Sequence, residues 1–544
     1  MVPELYNTPD ANTPDASNGP ALGAVWWIKR DLRLYDNPAL TEAAARAALS
    51  GGPLLPLFLF EPSVLAAPEF SSFHIQAQRQ ALADLQSRLR DRHGMDILVA
   101  TEDAVPALEA LHRRHPFLHL VSHRETGTEA TSERDRAVAA WCRLRGVTWS
   151  QPQQAGVFRP LPDRDQREAR WQEFMRQIPL PVPSLLPFPG WLHALCAASL
   201  LAASALTEPS WLKADAGLSR RQEVTEPLAW ATLRGFLKGR AAGYSSGISS
   251  PVTAFRAGSR LSVHLAWGTL SARAVHHEVL LRLASLKYDP SPEAKALRLG
   301  LWAFSERMQW RDHFAQRLED EPALEFHPPH PLYNDLPCVA GDEADHRLET
   351  LLAGRTGFPL VDACLRCASA TGFLNFRMRA LVTSFACHGL RLDWRTVMTP
   401  LARLWTDYEP GIHVSQVQMQ AGVVGTNTIR VYSPAKQLRD QDPALSFTRA
   451  WLPELSAVPD DLIWTLGEPN GPVPSDYAAP LVDFAAESKA MKDVLYSRRT
   501  SLEGAAAAAI VQQRHGSRRA RPPRARRPTT TPDLLRAGKQ VAGS

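Results

Sequence analysis

The chain has 544 residues, enough for two or three domains with full cores at roughly 100–200 residues each. Hydrophobic residues make up 44% and charged residues 22%, which excludes wholesale disorder and a membrane-embedded body. Net charge is 61 − 56 = +5, yet Arg514 to Arg527 alone carries seven arginines and no acid, so the rest of the chain stands near −2 and global charge says little about the folded body.

The first 22 residues are polar and expected to be disordered, without the charged-then-apolar pattern of a signal peptide. From residue 23 to 150 short apolar runs alternate with amphipathic stretches. Strands are predicted at Ala24–Ile28, Leu54–Phe60, Ile97–Ala100, Leu118–Ser122 and Val147–Trp149, with helices at Pro38–Ala48, Ile75–Asp91, Ala104–Arg113 and Glu129–Leu144. Such alternation means a parallel five-stranded, Rossmann-like sheet covered on both faces. Ligands of these sheets bind beyond the carboxyl ends of the strands, where Lys29-Arg30-Asp31-Leu32-Arg33 follows the first strand. No dinucleotide fingerprint or P-loop occurs there.

Residues 151–225 hold Pro179, Pro181, Pro183, Pro187 and Pro189 and read as a connector draped over the surface. The most apolar stretch, Leu192 to Leu206, is about 15 residues, short of the roughly 20 that span a bilayer. Between 226 and 492 strand patterns vanish and Ala/Leu/Arg helices rich in Trp, Phe and His take over, so this is a large all-α domain. After Lys492 disorder is expected through 544, apart from one short Ala helix. The Arg/Pro run in that tail is either a non-specific nucleic-acid contact or a solubilising segment. Six cysteines in a chain this long make no disulfide framework, so a reducing cytoplasm is the default.

Three blocks of the helical half carry a family signature: Tyr244 with AGSRLSVHLAWGTLS (257–271), FSERMQWRDHF (304–314), and GRTGFPLVDACLRCASATGFLNFRMRALVTSF (354–385) followed by LDWR and DYEPGIHVSQVQMQAGVVGTNTIRVYSP (407–434). Together with VWWIKRDLRLYDNPAL at the N-terminus, they resemble the photolyase/cryptochrome flavoproteins. The third block is the most specific, with Gly357, Pro359, Asp362, Gly372, Arg379 and Trp394 at that family's spacing. The resemblance implies non-covalent FAD in the helical domain. Tyr244, Gly258, Ser259, Arg260, Leu261 and Ser262 would grip its phosphates; Phe304, Arg311, Arg379, Asp407, Gly411 and His413 would contact the flavin. It also implies Trp310 and Arg377 facing a damaged base pair, Trp394 in an electron relay, and an antenna pigment of unknown identity in the N-terminal domain.

Two activities follow from the resemblance: light-driven repair of a pyrimidine dimer flipped out of DNA, with damaged DNA as partner, or a cryptochrome-like blue-light photoreceptor with weak or no repair. A monomer without membrane attachment is expected in either case. Several positions depart from the repair pattern. Arg307 replaces a glutamate that contacts the dimer, Phe376 and Ala380 replace Asn and Met contacts, and the flavin-proximal relay Trp falls near Val414 or Ser415. Trp405 and Tyr408 offer another relay route. Cys338, Cys364, Cys367 and Cys387 are four thiols in the helical half, in number enough for an iron–sulfur cluster. Lacking a second close pairing, they read as buried structural thiols.

Overall fold

A computed structural model describes residues 19–161, 163–204, 221–469 and 471–516, with the side chains of 199–204 excepted. Five strands form one parallel sheet: β1 Ala24–Ile28, β2 Leu54–Leu59, β3 Leu98–Ala100, β4 His119–Val121 and β5 Thr148–Ser150, in the order β3-β2-β1-β4-β5. Each lies within a residue or two of its predicted run. Pro56 pairs opposite Trp26 but has no N–H to give, and pairing with β3 begins only at Leu57.

Alternate side chains of β1 enter two separate cores. Ala24, Trp26 and Ile28 pack under α1 (Pro38–Ser50) and α2 (Ser72–His93). Val25 and Trp27 pack under α3 (Ala104–Arg114) and α4 (Glu129–Arg145). Burial on both faces is what makes these strands continuous apolar runs. Helix α1 begins where Asn37 caps it, accepting the Leu40 N–H at 3.0 Å with Pro38 in the first turn, and it stops at Gly51 in the left-handed region.

The connector does not drape over the surface. Five of its prolines cluster in 179–189, and the segments on either side of that cluster are helices with apolar faces: α5 Arg167–Arg176 and α6 Gly190–Ser204. Trp171, Phe174 and Met175 of α5 enter a core of the helical domain, while Leu192 and Cys196 of α6 are fully buried against the sheet. The N-terminal disorder expected through residue 22 also ends early. Gly19 N–H donates to Arg114 O at 2.8 Å, and Leu22 is buried; residues 1–18 lie outside the described residues.

Helices α7 Glu226–Lys238, α8 Ala272–Ser285, α9 Pro292–Asp320, α10 Pro359–Thr371, α11 Phe376–Ser384, α12 Trp394–Leu404 and α13 Pro410–Ala421 build the second domain. Disorder does not begin after Lys492 either. Helix α14 runs Phe484–Thr500, and the Ala-rich α15 runs Leu502–His515, because Leu495, Val511 and His515 are buried against the body. The arginines beyond Gly516 lie outside the described residues.

The two domains are joined through the carboxyl end of β1. Asp36 and Arg273 form a buried ion pair, Arg33 donates to Gly268 O at 3.0 Å, and Glu226 accepts the Leu34 N–H at 2.8 Å. A Cβ on Gly268, whose φ is 70°, would lie 2.0 Å from Arg30 O. No helix among the described residues is long and apolar enough to cross a membrane.

Candidate flavin site and the charged end of the sheet

The structure brings Arg260, Arg379 and Asp407 together. Arg379, on α11, clasps Asp407 with 2.8 and 3.1 Å contacts and donates to Leu374 O at 2.7 Å, while its guanidinium lies 4.4 Å from the Trp405 ring. Arg260 lies 3.7 Å from the Phe373 ring, on the strained turn that its φ of 60° marks. Its Nη1 is buried without a partner. Burial, together with neighbouring Arg379 and Arg240 and against the pull of Asp407, lowers its pKa to about 10.

Arg240 fixes the turn, donating to Gly258 O at 2.7 Å, Ser259 O at 3.3 Å and Thr232 O at 2.9 Å. Leu261 is buried, and Ser262 is exposed at the first position of a short helix, Ser262–Ala266. Two guanidiniums, Arg260 and Arg379, thus stand near one carboxylate, with an unused donor on Arg260 and with Arg240 holding the turn from behind. That donor set fits a diphosphate, whose charge would be met by planar, bidentate groups.

Other residues named from sequence go elsewhere. Tyr244 and Phe304 meet edge to face at 5.7 Å, with Phe236 completing a packed aromatic trio, and burial pushes the Tyr244 hydroxyl pKa up to about 12. Arg311 is engaged by carboxylates of its own chain. Its guanidinium is buried and divided between Asp312 at 2.7 Å and a bidentate contact with Glu409 at 2.7 and 2.8 Å. Asp312 in turn accepts from Trp171 Nε1 at 2.8 Å and from Gly156 N–H at 3.2 Å, so this cluster ties the connector to α9.

Gly411 is a crossing point of α9 and α13, where a Cβ would fall 2.5 Å from Ala315 Cα. His413 bonds Met398 O at 2.7 Å through Nε2, and burial lowers its pKa to about 4. Gly411 thus serves the close packing of two helices, and His413 Nε2 is taken by a backbone carbonyl. Trp310 stacks on Phe314 at 5.7 Å and meets His313 edge on. Trp394 is buried at the start of α12, with its indole N–H unpartnered. Arg377 is half-buried with an unpartnered Nε, beside Phe376, which is 53% exposed.

Asp362 holds the chain rather than a ligand, accepting from Thr356 N–H and hydroxyl, Gly357 N–H and Tyr477 hydroxyl at 2.6–3.1 Å. Cys364, Cys367 and Cys387 are buried and Cys338 is half-buried. Burial raises all four thiols, Cys338 to about 11 and Cys367 to about 12. Among the described residues no group of three or more His, Cys, Asp or Glu is placed to hold a metal ion.

Sequence reasoning missed Arg240, Phe373 and Glu409. Their signals were faint: an arginine one helical turn before Tyr244, an aromatic after Gly372, and an acid two residues after Asp407. Trp405 and Tyr408, named as a relay route, are joined through His74. Its Nε2 bonds Trp405 O at 2.9 Å, and its ring stacks on Tyr408 at 5.5 Å.

At the carboxyl end of the sheet, Lys29 bonds Asp135 at 2.9 Å and lies 3.9 Å from Glu125. Arg134 bonds Glu61 at 3.0 Å, Glu125 at 2.6 Å and Asp135 at 2.9 Å. A cavity of about 80 Å³ beside them is bounded by Phe58, Phe60, Trp267 and Tyr408. Burial lowers the Lys29 pKa, and the paired cations hold Glu125 well below the usual carboxylate range against burial.

Two family models match this chain: the FAD binding domain of DNA photolyase over residues 304–497 and DNA photolyase over residues 24–168. The chain is 27% identical to a cryptochrome DASH of Natronomonas pharaonis over 86% of this chain and 99% of that protein. It is 28% identical to a deoxyribodipyrimidine photo-lyase of Halobacterium salinarum over 85% of this chain and 96% of that one. Its backbone is similar to the crystal structure of a bacterial class III photolyase from Agrobacterium tumefaciens, with a TM-score of 0.73 at 23% identity, covering 90% of this chain and all of that one.

Proposed function

We propose that this chain, which belongs to the photolyase/cryptochrome family, is a light-driven DNA repair enzyme that splits a pyrimidine dimer flipped out of the duplex. The helical region is the FAD-binding domain. The observation that carries the reading is the buried, unpartnered Arg260 guanidinium nitrogen beside the Arg379–Asp407 pair. Arg260, with Ser259 and Ser262 on the turn held by Arg240, would bind the diphosphate, and Arg379 with Asp407 would hold the flavin ring edge. Bound there in reduced form, FAD would supply the light-excited one-electron donor that splitting of the dimer's cyclobutane ring requires.

The chain's own residues do the rest. Asp407, fixed by two contacts from Arg379, would offer a carboxylate oxygen as a hydrogen-bond acceptor to the flavin. Arg377 and exposed Phe376 stand where a strand can be gripped by a phosphate contact and an aromatic face. Asn375 stiffens that edge by donating to Ile248 O and Ser249 O at 3.0 and 2.8 Å. Trp310 offers a stacking surface to the extruded bases. A flipped dimer is favoured over normal bases because a distorted step costs less to unstack.

A second reading, a blue-light photoreceptor without repair, is favoured by Arg307. It is exposed on α9 where repair relatives place a carboxylate, and it offers no acceptor to a dimer. The deciding experiment illuminates purified, reduced protein with dimer-containing oligothymidylate. Repair restores thymine absorbance only in the light. Dimers left intact under illumination that does excite the bound flavin would overturn the repair reading and leave the photoreceptor.

A further inference from the structure

A second arginine cluster lies away from the flavin site, where α9, the start of α5 and the end of α15 meet. Arg317 on α9 is 3% exposed, and both its Nε and Nη2 are buried without a hydrogen-bond partner. Burial and nearby Arg164 lower its pKa to about 10 although Glu321 opposes them. A guanidinium is not expected to be buried half-satisfied unless something completes its hydrogen bonds.

The neighbours add to the imbalance. Arg167 contributes another buried, unpartnered Nε. Arg164 is paired with Asp320 at 2.5 Å and reaches His313 Nδ1 at 3.5 Å. His515, closing the cluster from the end of α15, bonds Glu321 at 2.6 Å through Nε2 and leaves Nδ1 buried without a partner. The two carboxylates are therefore committed, Asp320 to Arg164 and Gln316 and Glu321 to His515. Three guanidiniums face Asp320, Glu321 and, beside Arg167, Asp312, which is itself bonded to Arg311 and Trp171. His313 registers the excess: burial, then Arg167, Arg164, Arg317 and His515, lower its pKa to about 2.

We propose that Arg317, Arg167 and His515 form a built site for a small phosphate anion, inorganic phosphate or the phosphate of a monoester, which locks helix α15 onto the body. Arg317 Nε and Nη2 and Arg167 Nε would donate to its oxygens. His515 Nδ1 would accept the proton of a monoprotonated phosphate oxygen. A duplex phosphodiester is excluded by burial, since a guanidinium 3% exposed is beyond the reach of a helical backbone. The site would couple an anion to the docking of the helix that leads into the Arg/Pro tail, independently of flavin binding and repair.

The test uses the whole chain with its flavin, in thermal unfolding and calorimetric titration. Inorganic phosphate, a nucleoside monophosphate and sodium chloride are compared at equal ionic strength. One phosphate per chain and an upward shift in Tm of roughly 2 °C or more at saturation, absent with chloride, are expected. A shift at least as large with inorganic phosphate as with the monophosphate would identify the free anion as the natural ligand, and a larger shift with the monophosphate would identify a monoester.

Arg317→Met keeps the aliphatic stem and removes the unpaired charge. It should abolish the phosphate response while raising Tm in phosphate-free buffer, a gain that an arginine with a purely structural role would not give. His515→Gln should weaken phosphate binding by a few-fold at unchanged flavin content. Equal Tm in phosphate and chloride for the parent chain, or an undiminished phosphate response in Arg317→Met, overturns the proposal.

Discussion

The two charged centres on either side of the domain boundary are opposites in how their charges are matched. At the end of the sheet two cations, Lys29 and Arg134, meet three carboxylates, Glu61, Glu125 and Asp135, and each of the five side chains has an ion-pair partner, although Glu61 Oε2 is left without a hydrogen bond. In the helical domain Arg260 and Arg379 share a single carboxylate, Asp407, with Arg240 close to Arg260, and one guanidinium nitrogen of Arg260 has no partner. The first arrangement is a structural rivet that holds β1 to α4. The second is incomplete without an anion, and incompleteness is what marks a binding site.

The largest effect expected from this contrast is on stability. Lys29→Met removes one partner from a buried network and leaves three carboxylates to Arg134, at a cost of about 3–5 kcal/mol. It should lower the urea midpoint strongly without changing the flavin content of the protein that folds. An unchanged midpoint would show that the sheet-end cluster is not the rivet described.

Next comes Arg379→Met, which should leave the stability of the apoprotein close to that of the parent but weaken FAD binding by at least about tenfold. Loss of one hydrogen bond to a charged group is worth about 1.5–3 kcal/mol. Flavin fluorescence titration measures it, and full flavin retention would dissociate Arg379 from the site.

A third effect is acid sensitivity, read as denaturation midpoint against pH. Burial holds His264, His388 and His413 at about 4 and His74 at about 3, below their ordinary 6.5. Between these values and 6.5 the unfolded chain binds more protons than the folded one. Stability is therefore full above about 6.5 and is lost as pH falls towards 4.

Glu325 acts in the opposite sense: burial raises its pKa to about 7, although it caps α4 by accepting the Glu129 N–H at 2.8 Å. Its folded form keeps a proton that the unfolded form releases above about 4.5, so its contribution falls as pH rises from there to 7. Glu325→Gln should gain stability at pH 8 relative to the parent and little at pH 4. A gain equal at both would show that Glu325 does not titrate in this way.

The smallest effect is on repair. Arg307→Glu supplies an acceptor on the exposed face of α9 and should raise dimer splitting per absorbed photon a few-fold, the worth of one hydrogen bond of about 0.5–1.5 kcal/mol. No gain would count against the altered pocket as the limiting feature.

By itself the sequence determined the sheet, its flanking helices, the boundary at which strands give way to helices, and the family. These are written in local periodicity and in motifs whose spacing survives at low identity. The unbroken apolar run from Ala24 to Ile28 and the Asn37–Pro38 helix start are local properties of a few consecutive residues. What the tertiary structure decided is which charges meet. Arg260 with Arg379 and Arg311 with Glu409 are pairings across roughly a hundred residues of chain, and no local pattern distinguishes a committed guanidinium from one left with a free nitrogen. The same reason underlies the connector and the C-terminal helix. Their prolines and alanines suggest solvent exposure, but Trp171, Leu192 and Val511 are buried because distant surfaces happen to fit them. Local chemistry fixes the elements, whereas the balance of buried charge is a property of the assembled molecule.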